Sequence, residues 1–218
     1  MCANLGAMTV HEERGAGSVR ADPADARAPG RAAGRGERLL ERVLAGSGGS
    51  GEPLRHVVHQ PARAGRTVPW PSWAPPAVRA ALGERGITQP WSHQAQAAEL
   101  AHAGRDVVVA TGTASGKSLA YQLPVLAAFD TDPRATALYL SPTKALAADQ
   151  LRAVTGLGLP DVRATPFDGD TPLAERDWAR QHGRWLFSNP DMLHRSVLPH
   201  HARWAAYLRR QLYVVLDE

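Results

Sequence analysis

Lysine is almost missing from this sequence. Of 25 basic residues only Lys117 and Lys144 are lysine, and the rest are arginine. A lysine kept against that trend reads as one needed for its compact ammonium, which a planar guanidinium does not imitate; the alternative is chance survival. Cysteine is nearly absent too. The single Cys2 excludes a disulfide framework and a cysteine zinc cluster, and it fits a reducing cytoplasm. No apolar run approaches the ~20 residues that span a bilayer. Residues 1–10 lack the basic start and long apolar stretch of a secretory signal. The expectation is a soluble cytoplasmic protein with no membrane partner. No run of like charge concentrates the field, so a net charge of +4 permits nucleic-acid binding without demanding it.

What is present suffices for a packed domain. Hydrophobic residues make up 44% of 218, enough for one domain of ordinary size and some extra chain. Residues 1–52 form a first segment, and 1–36, rich in Ala, Gly, Arg, Pro and Asp without a period of 2 or 3.6, read as disordered. Leu39, Leu40, Val43 and Leu44 fit a short amphipathic helix ahead of a flexible Gly/Ser linker at 46–51. Residues 53–86 form a Pro- and Trp-bearing extension. Its Trp70 and Trp73 either anchor the segment on the domain or offer a base-stacking platform, and a helix near Val78, Ala81 and Leu82 follows.

From Ile87 the pattern is regular. Helices are expected near 92–103, 117–128, 143–154, 172–182, 190–196 and 202–210. Strands are expected near 106–110, 135–140, 162–167, 185–188 and 212–216. Strands that alternate with helices, and that are continuously apolar, predict an α/β fold with a parallel sheet covered on both faces.

The most specific signal is Ala110-Thr-Gly-Thr-Ala-Ser-Gly-Lys-Ser118, set between a strand and a helix as a P-loop requires. Gly112 and Gly116 allow a tight turn whose N–H groups converge on phosphate, and the following helix adds its positive end. Thr111, Thr113, Ala114 and Ser115 complete the loop, with hydroxyl donors at 113 and 115. Lys117 would meet the β and γ phosphates of ATP, and Ser118 would hold Mg²⁺. The strict pattern wants glycine where Thr111 stands. The apolar strand ending Tyr213-Val-Val-Leu-Asp-Glu218 supplies the other half. Asp217 would hold Mg²⁺ through water and Glu218 would orient the attacking water.

Three further segments carry a family resemblance. Pro142-Thr-Lys-Ala-Leu-Ala-Ala-Asp-Gln150 resembles helicase motif Ia. Phe167-Asp-Gly-Asp-Thr171 resembles the glycine-bearing element after the third strand, and Ser188-Asn-Pro-Asp-Met-Leu-His194 is similar to motif Ib. Upstream, Pro90-Trp-Ser-His-Gln94 resembles an adenine-sensing segment with Gln94 reading the base, although a lone helical glutamine is more often just solvated. Over residues 87–218 the order of motifs resembles the ATP-binding lobe of superfamily 2 DEAD/DEAH-box helicases, and most of all the bacterial DNA helicases of the mitomycin-repair group.

That resemblance implies a RecA-like P-loop lobe and 3′-to-5′ unwinding of DNA rather than RNA. It implies a second RecA-like lobe with arginine fingers and a C-terminal zinc-binding domain in the complete protein. It assigns strand contacts to Pro142, Thr143, Lys144, Gly169, Asp170, Ser188, Asn189 and Asp191. Because the sequence stops inside the Asp-Glu motif, it also implies a sheet incomplete at its C-terminal side, marginal stability, and neither unwinding nor efficient hydrolysis by this chain alone. A nucleotide-binding remnant without catalysis is the alternative.

Overall fold

The computed structural model describes residues 8–11, 35–45, 65–112 and 115–217. The linker at 46–51, the extension from 53 to 64 and nearly all of the stretch read as disordered lie outside them. The chain divides into two units, residues 13–64 and the remainder. In the first, α1 (Arg35–Ala45) is the short helix expected from Leu39, Leu40, Val43 and Leu44.

The second unit opens with strand β1 (Met8–His11), which lies within the stretch 1–36. Four residues are too few for alternation to be counted, and the partner strand lies far along the chain. The elements then follow as α2 (Pro76–Glu84), α3 (Ser92–His102), β2 (Val107–Ala110), α4 (Ser118–Thr131), β3 (Thr136–Leu140) and α5 (Lys144–Thr155). After them come β4 (Ala164–Pro166), α6 (Leu173–His182), β5 (Trp185–Ser188), α7 (Pro190–Met192), α8 (His201–Leu208) and β6 (Gln211–Leu216). The third expected strand is shorter than anticipated. Pro160–Val162 makes a 3₁₀ turn, and Arg163 at φ 41° breaks the extended run before β4 starts. The expected helix at 190–196 is one α turn that widens into a π turn over Leu193–Val197.

The main sheet has the order β4-β5-β3-β6, and every pair in it is parallel. β1 and β2 pair in parallel as a separate two-stranded sheet. Alternation along each strand divides the core between the faces. Ala137, Tyr139, Trp185 and Phe187 pack with Val78, Leu82, Ala98, Leu123, Leu126 and Phe129 from α2, α3 and α4. Leu138, Leu140 and Leu186 face the other way, toward Ala179, Val197, Trp204 and Tyr207. Tyr207 ties the two central strands, donating to Ala137 O at 2.5 Å and accepting from Leu186 N at 3.3 Å.

Arg184, just ahead of β5, is buried. Its guanidinium donates to the carbonyls of Phe129, Asp132, Ala135 and Asp161 at 2.5–3.2 Å and lies 4.3 Å from the Phe129 ring centroid. It thereby collects carbonyls orphaned at the end of α4.

The two tryptophans of the extension act as anchors. Trp70 Nε1 donates to Thr88 O, and Trp73 Nε1 donates to Glu99 Oε2 while its ring stacks on His102 at 4.0 Å.

β6 departs from the expected double coverage. Tyr213 and Val215 pack on the core, but Leu212, Val214 and Leu216 are exposed at 58%, 52% and 76%. Among the described residues β3 is its one strand neighbour. No helix among them is long and apolar enough to cross a membrane.

Candidate nucleotide and nucleic-acid site

Parallel strands in one sheet put all their C-terminal ends on one edge, and crevices at that edge are where α/β folds bind ligands. The segments singled out from the sequence leave the ends of β2, β3, β4, β5 and β6. Pairing of Pro166 with Phe187, and of Leu140 with both Ser188 and Leu216, brings four of those ends level.

Three side chains hold carbonyls of the loop after β2. Lys117 Nζ donates to Thr111 O at 3.2 Å, His93 Nε2 lies 3.1 Å from Ser115 O, and Gln94 Nε2 donates to Gly116 O at 2.8 Å. In a trans peptide the C=O and the next N–H point in opposite directions. The N–H groups of Gly116 and Lys117 are therefore directed away from His93 and Gln94. That is the polarity a phosphate cradle needs. Gly116 sits at φ +73°, and a Cβ there would stand 2.5 Å from Gln94 Nε2. Conformation and space both require glycine at that position.

The Thr111 and Ser115 hydroxyls bond each other at 2.6 Å, and Ser118 is the first residue of the 14-residue α4. The amides of Gly116 and Lys117, a lysine and a serine at a helix start suit a polyphosphate and its cation in donor type. Thr113 and Ala114 lie outside the described residues.

Gln94 is buried and fully engaged. Besides its bond to Gly116, its Oε1 accepts from Trp91 N at 2.8 Å, which caps α3. The side chain expected to read adenine is thus also the link between α3 and the loop.

At the end of β6, Asp217 extends the β3–β6 ladder by donating its N–H to Leu140 O at 2.9 Å. Its Oδ2 accepts from the Tyr139 hydroxyl at 2.6 Å. Burial pushes the Tyr139 phenol well above the ordinary tyrosine value, and the adjoining carboxylate adds to the rise. Tyr121 of α4 is raised as well, chiefly by burial, and donates to Gln150 Oε1 at 2.7 Å. Glu218 lies outside the described residues.

Away from the loop, the strand-contact residues form a second group. Thr143 caps α5, its hydroxyl accepting from Leu146 N at 3.3 Å, next to exposed Pro142. Lys144 begins α5 and meets Asp170 at 2.5 Å, with both side chains largely exposed. The hydrogen bond to Asp170 holds the ammonium above the ordinary lysine value. The turn carrying Gly169 and Asp170 is fixed from within. Asp168 Oδ1 accepts from the N–H groups of Asp170 and Thr171, and Arg176 binds the carbonyls of Asp168, Gly169 and Thr171.

Asn189 caps α7 by accepting from Met192 N at 2.9 Å, and Asp191 is exposed. Ser188 is placed differently from its neighbours. It is buried, and its hydroxyl donates inward to Phe167 O at 2.5 Å.

Sequence reasoning missed His93, Tyr121 and Tyr139. His93 had only its position beside Gln94 as a signal. Tyr139 had a better one, as the one polar-tipped side chain between Ala137 and Leu140, and a buried phenol usually has a partner.

A parallel α/β sheet with a phosphate loop between β2 and α4, and an aspartate closing β6, defines a RecA-like P-loop nucleotide-binding lobe. The model of the DEAD/DEAH box helicase family matches residues 91–218, and the chain belongs to that family. It is 41% identical over 160 residues to YprA, an ATP-dependent helicase of Bacillus subtilis, covering 72% of this chain and 21% of that one. It is 44% identical over 133 residues to the ATP-dependent helicase HRQ1 of Saccharomyces cerevisiae, covering 59% of this chain and 12% of that one.

Among solved structures, the DUF1998 helicase MrfA bound to DNA and AMPPNP superposes with a TM-score of 0.72 at 37% identity, over 83% of this chain and 25% of that one. The DEAD-box helicase Mss116 shares the fold at 17% identity and a TM-score of 0.56, over 69% of this chain and 34% of that one. The chain thus spans between about an eighth and a quarter of the length of YprA, HRQ1 and MrfA.

Proposed function

We propose that this chain is the ATP-binding lobe of an ATP-dependent DNA helicase that moves 3′ to 5′. The observation that carries the reading is the loop between β2 and α4, whose carbonyls are held by Lys117, His93 and Gln94. Asp217 follows β6, and the Lys144, Gly169–Asp170 and Asn189–Asp191 segments follow β3, β4 and β5 of the main sheet. Lys117, Ser118 and the amides of the loop would hold ATP. Asp217 and Ser118 would hold Mg²⁺, which when bound neutralises phosphate charge. Glu218 would orient the attacking water, and Gln94 would sense the base. Thr143, Lys144, Gly169, Asp170, Asn189 and Asp191 would contact a strand through its backbone, which positions it without reading sequence.

DNA is favoured over RNA because the likeness at 37–40% identity is to a helicase whose structures hold DNA, whereas the likeness to an RNA-bound helicase, at 17% identity, extends to fold alone. Closure of a second lobe over ATP would move the strand in steps. Arginines from such a lobe account for about 10³–10⁵ in rate in related phosphoryl-transfer systems. The chain alone is therefore expected to bind nucleotide and strand without turning ATP over at helicase rates.

Titrating a fluorescent ATP analogue and single-stranded DNA against the purified chain tests the reading. Magnesium should strengthen nucleotide binding, and DNA affinity should fall steeply with salt. Lys144→Ala should reduce the salt slope by about 0.7, one phosphate contact on a single strand. DNA binding insensitive to salt, or no nucleotide binding, would sink it.

A further inference from the structure

Tyr139 carries a phenol into the centre of the sheet, where aromatic neighbours flank it. The residue is fully buried. Its ring lies 5.0 Å from Phe187 and 5.8 Å from Tyr121, centroid to centroid. In the β3–β6 ladder Tyr139 stands opposite Val215, which makes Asp217 its diagonal neighbour on the same face. Asp217 lies two residues beyond the position opposite Tyr139, a gap that a long side chain is needed to cross. Tyrosine crosses it and ends 2.6 Å from Asp217 Oδ2. A phenylalanine would fill the same space and leave the carboxylate unheld.

Asp217 directly follows β6. Its N–H is tied to Leu140 O, but the carboxylate could still rotate. A donor on Oδ2 selects one orientation. It leaves Oδ1 and the second lone pair of Oδ2 available to a further partner. Hydrogen bonds of this kind to metal-side carboxylates commonly account for 10–100-fold in metal affinity.

We propose that Tyr139 is a positioning residue for Asp217, presetting the carboxylate for a hydrated divalent cation shared with nucleotide phosphates. This rests on the nucleotide-binding reading above, and it adds a residue that no motif of the sequence marks. Tyr121, whose ring packs on Tyr139, completes the wall by donating to Gln150 of α5. The hydroxyl of Tyr139 is thereby left with Asp217 as its acceptor.

The test is the magnesium dependence of nucleotide binding in Tyr139→Phe. A fluorescent ATP analogue is titrated in EDTA and again over a series of Mg²⁺ concentrations, for wild type, Tyr139→Phe, Asp217→Asn and the double variant. The expected result is unchanged affinity in EDTA and a Mg²⁺ midpoint at least 10-fold higher in Tyr139→Phe. In the Asp217→Asn background, adding Tyr139→Phe should change nothing further. An unchanged midpoint would overturn the proposal, and so would an equal loss in the Asp217→Asn background, which would mark a general loosening of the sheet. Thermal melts of all four separate a folding defect from either outcome. If the wild type gained nothing from Mg²⁺, the nucleotide-site reading itself would fall and this one with it.

Discussion

Gln94 shows how much a single side chain can be asked to do. Its amide joins the Trp91 N–H, which starts α3, to the Gly116 carbonyl in the phosphate loop, and it is buried. Gln94→Ala would take the side-chain partner from the Trp91 N–H and from the Gly116 carbonyl, at about 0.5–1.5 kcal/mol for each hydrogen bond lost. A melt should record that loss. The same change should narrow any preference for ATP over GTP, read by competition against a fluorescent analogue, because the amide that could read a base is gone. An intact preference would confine Gln94 to the structural half of this role. The sequence pointed to Gln94 through its context, yet the two hydrogen bonds that make it a strut arise only when residues 22 apart meet. His93 escaped notice for the same reason, since its contact is to a backbone carbonyl, and any ring nitrogen on that face of α3 could have made it.

At the level of elements, the sequence was most legible where apolar periodicity is long. α3, α4, α5, α6, β3, β5 and β6 stand within a few residues of where the pattern puts them. It was least legible where geometry is set by distant partners. β1 needs β2 to exist, β4 is cut short by the left-handed Arg163, and the turn after α7 widens to a π turn. Arg184 belongs to this class as well. Nothing in Gly183-Arg184-Trp185 announces a buried cation, yet it closes the end of α4 and joins it to β3 and the 3₁₀ turn before β4. Arg184→Met keeps much of the volume and removes every donor. It should cost on the order of 3 kcal/mol through the stranded carbonyls, seen as a fall of roughly 6–12 °C in Tm. A change under about 2 °C would mean that water takes over the carbonyls.

For the molecule as a whole, alkaline pH is the informative stress. Burial raises the phenol pKa of both Tyr139 and Tyr207 above the ordinary value. Below about pH 10 both states of the chain hold these protons, and the stabilisation is intact. Above it the unfolded chain ionises and the folded one does not, so stability falls by about 1.4 kcal/mol per pH unit for each tyrosine until the folded values are reached. Denaturant midpoints should be flat from neutral pH to about 9.5 and then drop, and Tyr207→Phe should make the drop shallower. A midpoint that stays level to about pH 11 would show that these phenols ionise as readily folded as unfolded.

The scarcity of lysine has a practical corollary. Lys117 rests half-buried against the carbonyl of Thr111, while Lys144 stands exposed beside Asp170. Apart from the terminal amine, these are the chain's only primary amines. An amine-selective acylating reagent followed by peptide mass spectrometry therefore reads two chemical addresses, one in the loop after β2 and one at the start of α5. Occupancy by a nucleotide would shield the first and occupancy by a strand the second, so each ligand could be followed in the presence of the other without a label on either.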